Sequence, residues 1–225
     1  MLETKTLIVR FNNDLKSFEI PLFRGAVISA SGYDDVLYHN HQGDNYRYSY
    51  PLIQYKRIDK KASIFCIGSG TESIGKLFCN GEFEFQIGER KVQMEIDTIK
   101  ATKNLIQLWQ TELTYRVVRW LPLNTENYHR YNAIESLTER ITFLEHILTS
   151  NLLSMLKGLG IFIEGELTVK ITALDEPYIQ TYKGVKLMAF NCNFKSNLSI
   201  PHYAGIGKNA SNGFGIVYRS NPQSH

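Results

Sequence analysis

The order of strand-like and helix-like segments is the feature that most constrains the fold of this chain. In its first half, segments rich in β-branched and aromatic residues alternate with two helical segments in the order β-α-β-β-α-β. Five segments are strand-like, one more than this order contains: Thr6–Phe11, Val36–His41, Tyr46–Lys56, Ala62–Gly68 and Glu82–Ile99. The predicted helices are Leu22–Ala30 and Thr71–Phe78. This order predicts an α+β fold.

The second half repeats the order less clearly. Its strongest signal is a helix from Ser136 to Lys157, in which apolar residues recur at steps of three and four before Gly158. Strands are predicted at Asn104–Trp120, Ile161–Leu174, Gly184–Phe194 and Phe214–Tyr218. Two such halves predict tandem ferredoxin-like domains, each an antiparallel sheet with helices on one face. We place them at residues 1–100 and 101–225, with the boundary near Thr98 to Lys103.

Composition excludes several classes of protein. The three cysteines, Cys66, Cys79 and Cys192, are far apart and form no CxxC, which predicts neither a disulfide framework nor a zinc site. No apolar run approaches the roughly 18 residues of a membrane span, and the N-terminus lacks a signal-peptide core. We therefore expect a cytoplasmic protein with no membrane partner and no cofactor.

The distribution of charge points to an anionic partner. From Pro177 to the C-terminus the chain has no Asp or Glu but five lysines and arginines, so its last 49 residues carry +5 and the first 176 carry −2. A basic, strand-rich tail is typical of a protein that binds a polyanion. A solvated basic face is the alternative.

A glycine-rich segment lies within this basic tail. Gly205, Gly207, Gly213 and Gly215 surround Lys208 in the pattern GxGKxxxxGxG. Glycine adopts positive φ and has no β-carbon, so such a loop can present backbone N–H groups and one ammonium to a phosphate. The pattern is neither a Walker loop nor a Rossmann fingerprint. We predict a phosphate-binding loop, with an ordinary glycine-rich hairpin as the alternative.

Two of the six histidines stand close together in the segment Tyr38-His39-Asn40-His41. On a strand, positions 39 and 41 share one face, so both imidazoles can flank one scissile bond and move protons near neutral pH. Tyr38 is placed to orient a proton. A metal site is not predicted, because Asp44 is the only obvious third ligand nearby. A structural role for one or both histidines is the alternative.

Cations and aromatic residues alternate downstream of the histidine pair. The segment contains Arg47, Lys56, Arg57, Lys60 and Lys61 among Tyr46, Tyr48, Tyr50 and Tyr55. Cations bind phosphates and aromatic rings stack on bases, as in proteins that bind single-stranded RNA. For most of these residues, half-buried sheet tyrosines and solvated lysines are the better interpretation. For Lys56, next to Gln54-Tyr55, a functional role is favoured.

Several separated motifs, in one order, resemble the CRISPR-associated endoribonucleases that process precursor CRISPR RNA. They are Leu22–Gly25, His39–His41, Arg47–Tyr48, Pro51–Lys56, Trp120–Asn127, Ile147–Ser154, Lys157–Gly158 and the glycine-rich tail. The resemblance covers nearly the whole chain. It implies two ferredoxin-like domains of the RAMP type, metal-independent cleavage within a CRISPR repeat, and RNA contacts by Arg24, Arg47 and the glycine segment. The tail departs from the family in having Ser211-Asn212, rather than an apolar residue, before Gly213.

Metal-free RNA cleavage requires a base for the 2′-hydroxyl, an acid for the leaving 5′-oxygen and a cation for the phosphorane. We assign the first two roles to His39 and His41, in an order the sequence does not decide, and the third to Lys56. The expected partner is CRISPR repeat RNA; subunits of a CRISPR effector complex and a second copy of the chain are further candidates. The main alternative is a catalytically silent RAMP-type subunit that binds RNA. A small-molecule phosphate-binding enzyme is a third interpretation.

Overall fold

The computed structural model describes residues 3–31, 41–42, 45–46, 50–79 and 83–220. The described chain divides into two compact units that meet in sequence between Leu105 and Ile106, and the short segment Ser211–Gly213 belongs to the first unit. The predicted boundary segment, Thr98 to Lys103, lies inside a long strand of the first unit. In the parts of the chain that are described, no helix is long and apolar enough to cross a membrane.

The first unit contains a four-stranded antiparallel sheet. Its elements are β1 (Glu3–Asp14), α1 (Ile20–Ser31), β2 (His41–Gln42), β3 (Asn45–Tyr46), β4 (Ile53–Ile58), β5 (Lys61–Ile67), α2 (Gly70–Ser73), α3 (Gly75–Cys79), β6 (Glu84–Ile87), β7 (Arg90–Gln93) and β8 (Ile96–Leu105). The strand order is β4-β5-β1-β8, while β2 pairs with β3 and β6 with β7. The two central strands are the first and third of the β-α-β-β-α-β order, as in a ferredoxin-like domain.

One face of this sheet is covered by α1. Val9 and Phe11 of β1 belong to the same buried cluster as Phe23 and Val27 of α1. The rings of Phe11 and Phe23 meet edge to face with their centroids 5.9 Å apart, a favoured arrangement of aromatic pairs. Because side chains alternate along a strand, the core position of Tyr55 on β4 turns its neighbours to the opposite face.

The second unit has the same sheet order. Its elements are β9 (Leu108–Trp120), α4 (Thr125–Ala133), α5 (Leu137–Gly158), β10 (Val169–Leu174), β11 (Tyr178–Tyr182), β12 (Val185–Leu198) and β13 (Ile216–Arg219), with a 3₁₀ turn at Ala210–Asn212. The sheet runs β10-β12-β9-β13, and β11 adds to β12. The predicted α+β class with two ferredoxin-like sheets is therefore confirmed.

Helix α5 forms where the periodicity predicts it. Ser136 caps it by accepting a hydrogen bond from the amide of Glu139 at 3.4 Å, and Leu144, Leu148 and Leu152 are fully buried. Leu137, in contrast, is largely exposed. The apolar face thus begins to pack only after the first two turns of the helix.

Other predicted elements differ from the structure. The strand expected at Glu82–Ile99 is three strands, separated by turns; the helix expected at Thr71–Phe78 is two short helices; and the strand expected from Ile161 begins at Val169. Helix α4 and strand β11 were not predicted. Helix α4 buries only Tyr131 and is capped by Asn124, whose side chain accepts from the Asn127 amide at 2.7 Å. It therefore carries no apolar periodicity to detect.

Candidate active site and glycine loop

Lys56 occupies an unusual position for a lysine. It lies on β4 opposite Ser63 of β5 and is fully buried. Its Nζ atom has no hydrogen-bond partner among the described residues and lies 5.7 Å from the centroid of the Phe65 ring. Because burial disfavours the charged form, the pKa of Lys56 falls to about 7. An amine in this state is ready to accept an anion or to exchange a proton near neutral pH.

The side chain of Gln54 ties the start of β4 to the preceding segment. Its amide nitrogen donates to the hydroxyl of Tyr50 and to the carbonyl of Pro51, both at 2.9 Å. Burial raises the pKa of Tyr50, although the bond from Gln54 opposes the shift. The Tyr50 hydroxyl therefore stays protonated and can itself donate a hydrogen bond. In the sequence Tyr50 is one of several nearby tyrosines, and no local pattern predicts its hydrogen bond with Gln54.

The predicted acid and base lie largely outside the described residues. Tyr38, His39 and Arg47 are not among the described positions. His41 begins β2, where its backbone is paired with that of Tyr46. The roles assigned to these four residues remain predictions. Arg24 is on α1 and is half-buried.

Tight backbone geometry defines the glycine loop, residues 205–215. Gly207, Gly213 and Gly215 have φ of 76°, 74° and 60°, values that favour glycine. A β-carbon on Gly215 would collide with the carbonyl oxygen of Ile206. The Gly215 amide already donates to the carbonyl of Arg119 at 3.0 Å, and the carbonyl of Gly215 accepts from the Ile206 amide at 2.9 Å. The Gly215 amide is therefore engaged within the protein and does not point to a phosphate.

The start of the loop packs within the second unit. Gly205 forms a bridge with Ile216 and is buried. A β-carbon on Gly207 would lie 2.7 Å from Oδ1 of Asn151 and 3.0 Å from Nε1 of Trp120. These two groups are hydrogen-bonded to each other at 2.9 Å. The side chain of the next residue, Lys208, is exposed, so this predicted phosphate contact reaches solvent.

Gly213 lies beside the strand that carries Lys56. Gly213 belongs to the first unit. A β-carbon on it would lie 2.8 Å from Cδ1 of Ile20 and 3.2 Å from the carbonyl oxygen of Tyr55. Tyr55 directly precedes Lys56. The structure thus brings together two predicted site residues, Gly213 and Lys56, that are far apart in sequence.

No group of three or more His, Cys, Asp or Glu side chains in the described part of the chain is placed to hold a metal ion. Cys66 and Cys192 are free cysteines and are buried. Burial raises the pKa of the Cys66 thiol, which keeps it in its unreactive form.

Two family models match the chain almost end to end. The Cas6b N-terminal domain matches residues 1–104, and the Cas6b C-terminal domain matches residues 107–220. The chain belongs to the Cas6b family. The family resemblance inferred from the motifs is confirmed. The Cas6b N-terminal domain contains the histidine pair and Lys56, and the C-terminal domain contains the glycine loop.

Solved structures agree with this assignment. A crystal structure of Cas6b is 30% identical, with a TM-score of 0.87 over 97% of this chain and 100% of that one. A crystal structure of the CRISPR RNA processing endoribonuclease Cas6b is 27% identical, with a TM-score of 0.75 over the same shares. An uncharacterised protein of Methanocaldococcus jannaschii is 37% identical over 100 residues, which are 44% of this chain and 67% of that protein.

Proposed function

We propose that this Cas6b-family protein is an endoribonuclease that cleaves CRISPR repeat RNA without a divalent metal. The observation that carries the proposal is Lys56, a fully buried amine whose Nζ has no hydrogen-bond partner among the described residues. The similar structure described as a CRISPR RNA processing endoribonuclease supports the substrate. The reaction is attack by the substrate's own 2′-hydroxyl on the adjacent phosphorus, which leaves a 2′,3′-cyclic phosphate and a 5′-hydroxyl.

Lys56 acts as the electrostatic stabiliser in this mechanism. Burial lowers the pKa of its amine to about 7, so the neutral and ammonium forms are both populated near pH 7. An approaching phosphate favours the ammonium form because opposite charges attract. The phosphorane carries more negative charge than the ground-state phosphodiester. A fixed cation in a site of low polarity therefore stabilises the transition state more than the substrate.

The two histidines supply the proton transfers. One takes the proton of the 2′-hydroxyl and the other gives a proton to the departing 5′-oxygen, as their positions 39 and 41 suggest. Tyr38 orients one of these protons. Imidazole is suited to both steps because its ordinary pKa lies near neutrality.

In this proposal the glycine loop binds the RNA backbone, and its residues have different roles. Lys208 is exposed and provides the direct charge contact. Gly207 is half-exposed, so its amide is the proposed backbone contact, whereas Gly205, Gly213 and Gly215 are buried and shape the loop. Arg24 and Arg47 are proposed to contact the RNA elsewhere.

Incubation with CRISPR repeat RNAs in EDTA tests the proposal. We expect one cut per repeat and a 2′,3′-cyclic phosphate end. A repeat with a single 2′-deoxynucleotide directly upstream of the cut should bind equally well and stay intact. Cleavage of that substrate, or activity that requires an added metal, contradicts the mechanism. Binding of repeats with no cleavage under any condition would instead favour a catalytically silent RNA-binding subunit.

A further inference from the structure

The segment before the glycine loop contains a strained turn. The amide of Ala204 donates to the carbonyl of Pro201 at 3.1 Å, which closes a turn over His202 and Tyr203. Tyr203 has φ of 70°, in the left-handed region where a bulky residue is a true outlier. Its amide is held by the carbonyl of Val217 at 2.7 Å. The surrounding hydrogen bonds therefore impose this conformation on the tyrosine.

The local backbone does not explain a tyrosine at this position. A turn with positive φ at its third residue favours Gly or Asn, and a residue with a large side chain there destabilises the fold. The strain makes the side chain a candidate for a functional role. Strained residues of this kind are concentrated at binding and catalytic sites.

Three aromatic rings meet at the turn, and we call them the aromatic corner: His202, Tyr203 and Tyr218. The ring centroids of His202 and Tyr203 are 3.9 Å apart. Tyr218 lies nearly perpendicular to both, with centroids 5.6 Å from His202 and 5.5 Å from Tyr203. His202 is exposed and both tyrosines are half-exposed. The corner thus presents aromatic surface to solvent.

A hydrogen bond fixes the histidine ring. The amide of Arg219 donates to Nδ1 of His202 at 3.0 Å. A neutral His202 therefore carries its proton on Nε2, and its orientation is set by the backbone of β13. Such a ring is held in one orientation and is suited to stacking.

The corner adjoins the face of the second sheet that points away from the buried core. Tyr115 and Val117 of β9 are fully buried, whereas Arg116 between them is half-exposed. Tyr218 is opposite Arg116 in the register of β13 and β9, so it shares that outer face. Asp175 is paired with Arg116. From Pro177 onward the chain has no acidic residue.

We propose that the aromatic corner is a stacking site for an unpaired RNA base. Aromatic faces stack on any base, and basic surroundings attract the phosphates on either side of it. Tyr203 is only two residues before Gly205, so a strand that stacks here leads directly toward the glycine loop. The inference rests on the proposed function in taking RNA as the ligand, but it assigns a binding site that catalysis does not require.

Replacement of Tyr203 by Asn separates a binding role from a structural one. Asn accepts the left-handed conformation, so Tyr203→Asn should melt at the same temperature as the wild type or higher. Its affinity for a fluorescein-labelled 12-nucleotide oligoadenylate should fall about 5- to 100-fold, the effect of losing one stacked base. An abasic 12-mer should bind wild type and variant equally. Tyr128→Asn is the matched control, because Tyr128 is also exposed and also contacts a histidine ring.

His202→Asn is the second variant, because the amide oxygen of Asn can still accept the bond from Arg219; it too should weaken oligoadenylate binding. Unchanged affinity in both variants overturns the stacking site, as does a lower melting temperature with unchanged affinity per folded molecule. The two proposals fail separately. If wild type cuts repeat RNA but both variants bind like wild type, only the aromatic corner is wrong. If wild type binds oligoadenylate in a Tyr203-dependent way but never cuts a repeat, only the cleavage mechanism is wrong.

Discussion

The α-carbon of Gly213 faces the backbone carbonyl of Tyr55, so closely that a β-carbon there would lie 3.2 Å from the oxygen. Tyr55 points into the core beside Phe23, whose ring it meets edge to face at 6.0 Å. The following residue, Lys56, points to the other face of the sheet. The position of Gly213 and the position of the buried amine therefore depend on the same strand.

Replacing Gly213 by Val should damage both the fold and the activity. The substitution places a β-branched side chain at positive φ and against Ile20 and the Tyr55 carbonyl. We expect a loss of roughly 1–3 kcal/mol in the free energy of unfolding, together with slower cleavage per folded molecule. Thermal melts and single-turnover cleavage measure the two effects.

Gly25→Ala is the control for that experiment. Gly25 lies within α1, and a β-carbon added to it would extend into open space, with no contact within 4 Å. Alanine there should raise the free energy of unfolding by about 0.5–1 kcal/mol and leave cleavage unchanged. If Gly213→Val and Gly25→Ala have the same free energy of unfolding and the same cleavage rate, the close approach of Gly213 to Tyr55 contributes to neither stability nor activity.

Lys56→Met should abolish most of the catalytic activity. Methionine fills a similar volume without charge, so the expected decrease in cleavage rate is about 10²–10³-fold, the effect of losing one transition-state donor. Binding of an uncleavable 2′-deoxy repeat should weaken far less. Lys100→Met is the control, because Lys100 is exposed on β8. This variant should cleave RNA at the wild-type rate. If the Lys56→Met protein is fully active, Lys56 is not the cation that stabilises the transition state.

The same variant should change how stability depends on pH. The pKa of Lys56 is about 7 in the folded protein and 10.5 in the reference state. Between these values the unfolded chain binds more protons, so the contribution of Lys56 to the unfolding free energy rises with pH across this window. Below this pH window, Lys56 is protonated in both the folded and the unfolded state. Its contribution to the unfolding free energy is then constant and at its least favourable value.

Denaturant unfolding at pH 7 and pH 9 tests this expectation. Lys56→Met should be more stable than wild type at pH 7, because it buries no amine, and the difference should shrink at pH 9. Comparing the two proteins at each pH cancels the titration of the other groups. A stability difference that is the same at both pH values contradicts a buried, titrating amine.

Lys208→Ala should weaken RNA binding through charge alone. The side chain is exposed, so the melting temperature should not change. The slope of log K against log salt concentration should become smaller by about one, as expected for one phosphate contact. Lys170→Ala is the control, on the exposed surface of β10. If both variants show the wild-type slope, Lys208 does not contact the RNA.

Replacing His39 and His41 together by Ala should slow cleavage by orders of magnitude, since each acid or base group contributes about 10²–10⁴-fold. Repeat RNA should still bind. Each single variant, measured over a range of pH, should lose one limb of a bell-shaped rate profile, which assigns the base and the acid. If the double variant cleaves at the wild-type rate, the active site lies elsewhere, and His129, His146 and His202 are the next candidates.

Patterns that repeat over a few residues determined much of this protein. The spacing of Leu144, Leu148 and Leu152 predicted α5, because three- and four-residue steps place side chains on one helix face. The absence of acids after Glu176 predicted a basic tail, and the order of separated motifs indicated the family. The helix can be predicted because its pattern depends on neighbours along the chain. The basic tail and the family can be predicted because they depend only on which residues are present and in what order. Helix α4 was missed because its Asn124 cap has no apolar stripe beside it.

Only the tertiary structure decided the environment of the key residues. Lys56 looks like any strand lysine in sequence, and its complete burial arises only in the folded chain. Glycine at 213 is favoured by its positive φ and by the close approach of Ile20 and the carbonyl of Tyr55, which are far away in sequence. The strain at Tyr203 comes with a hydrogen bond to Val217. Burial and close backbone approach depend on which segments, distant in sequence, come into contact in the fold. A local pattern of residues does not determine those contacts.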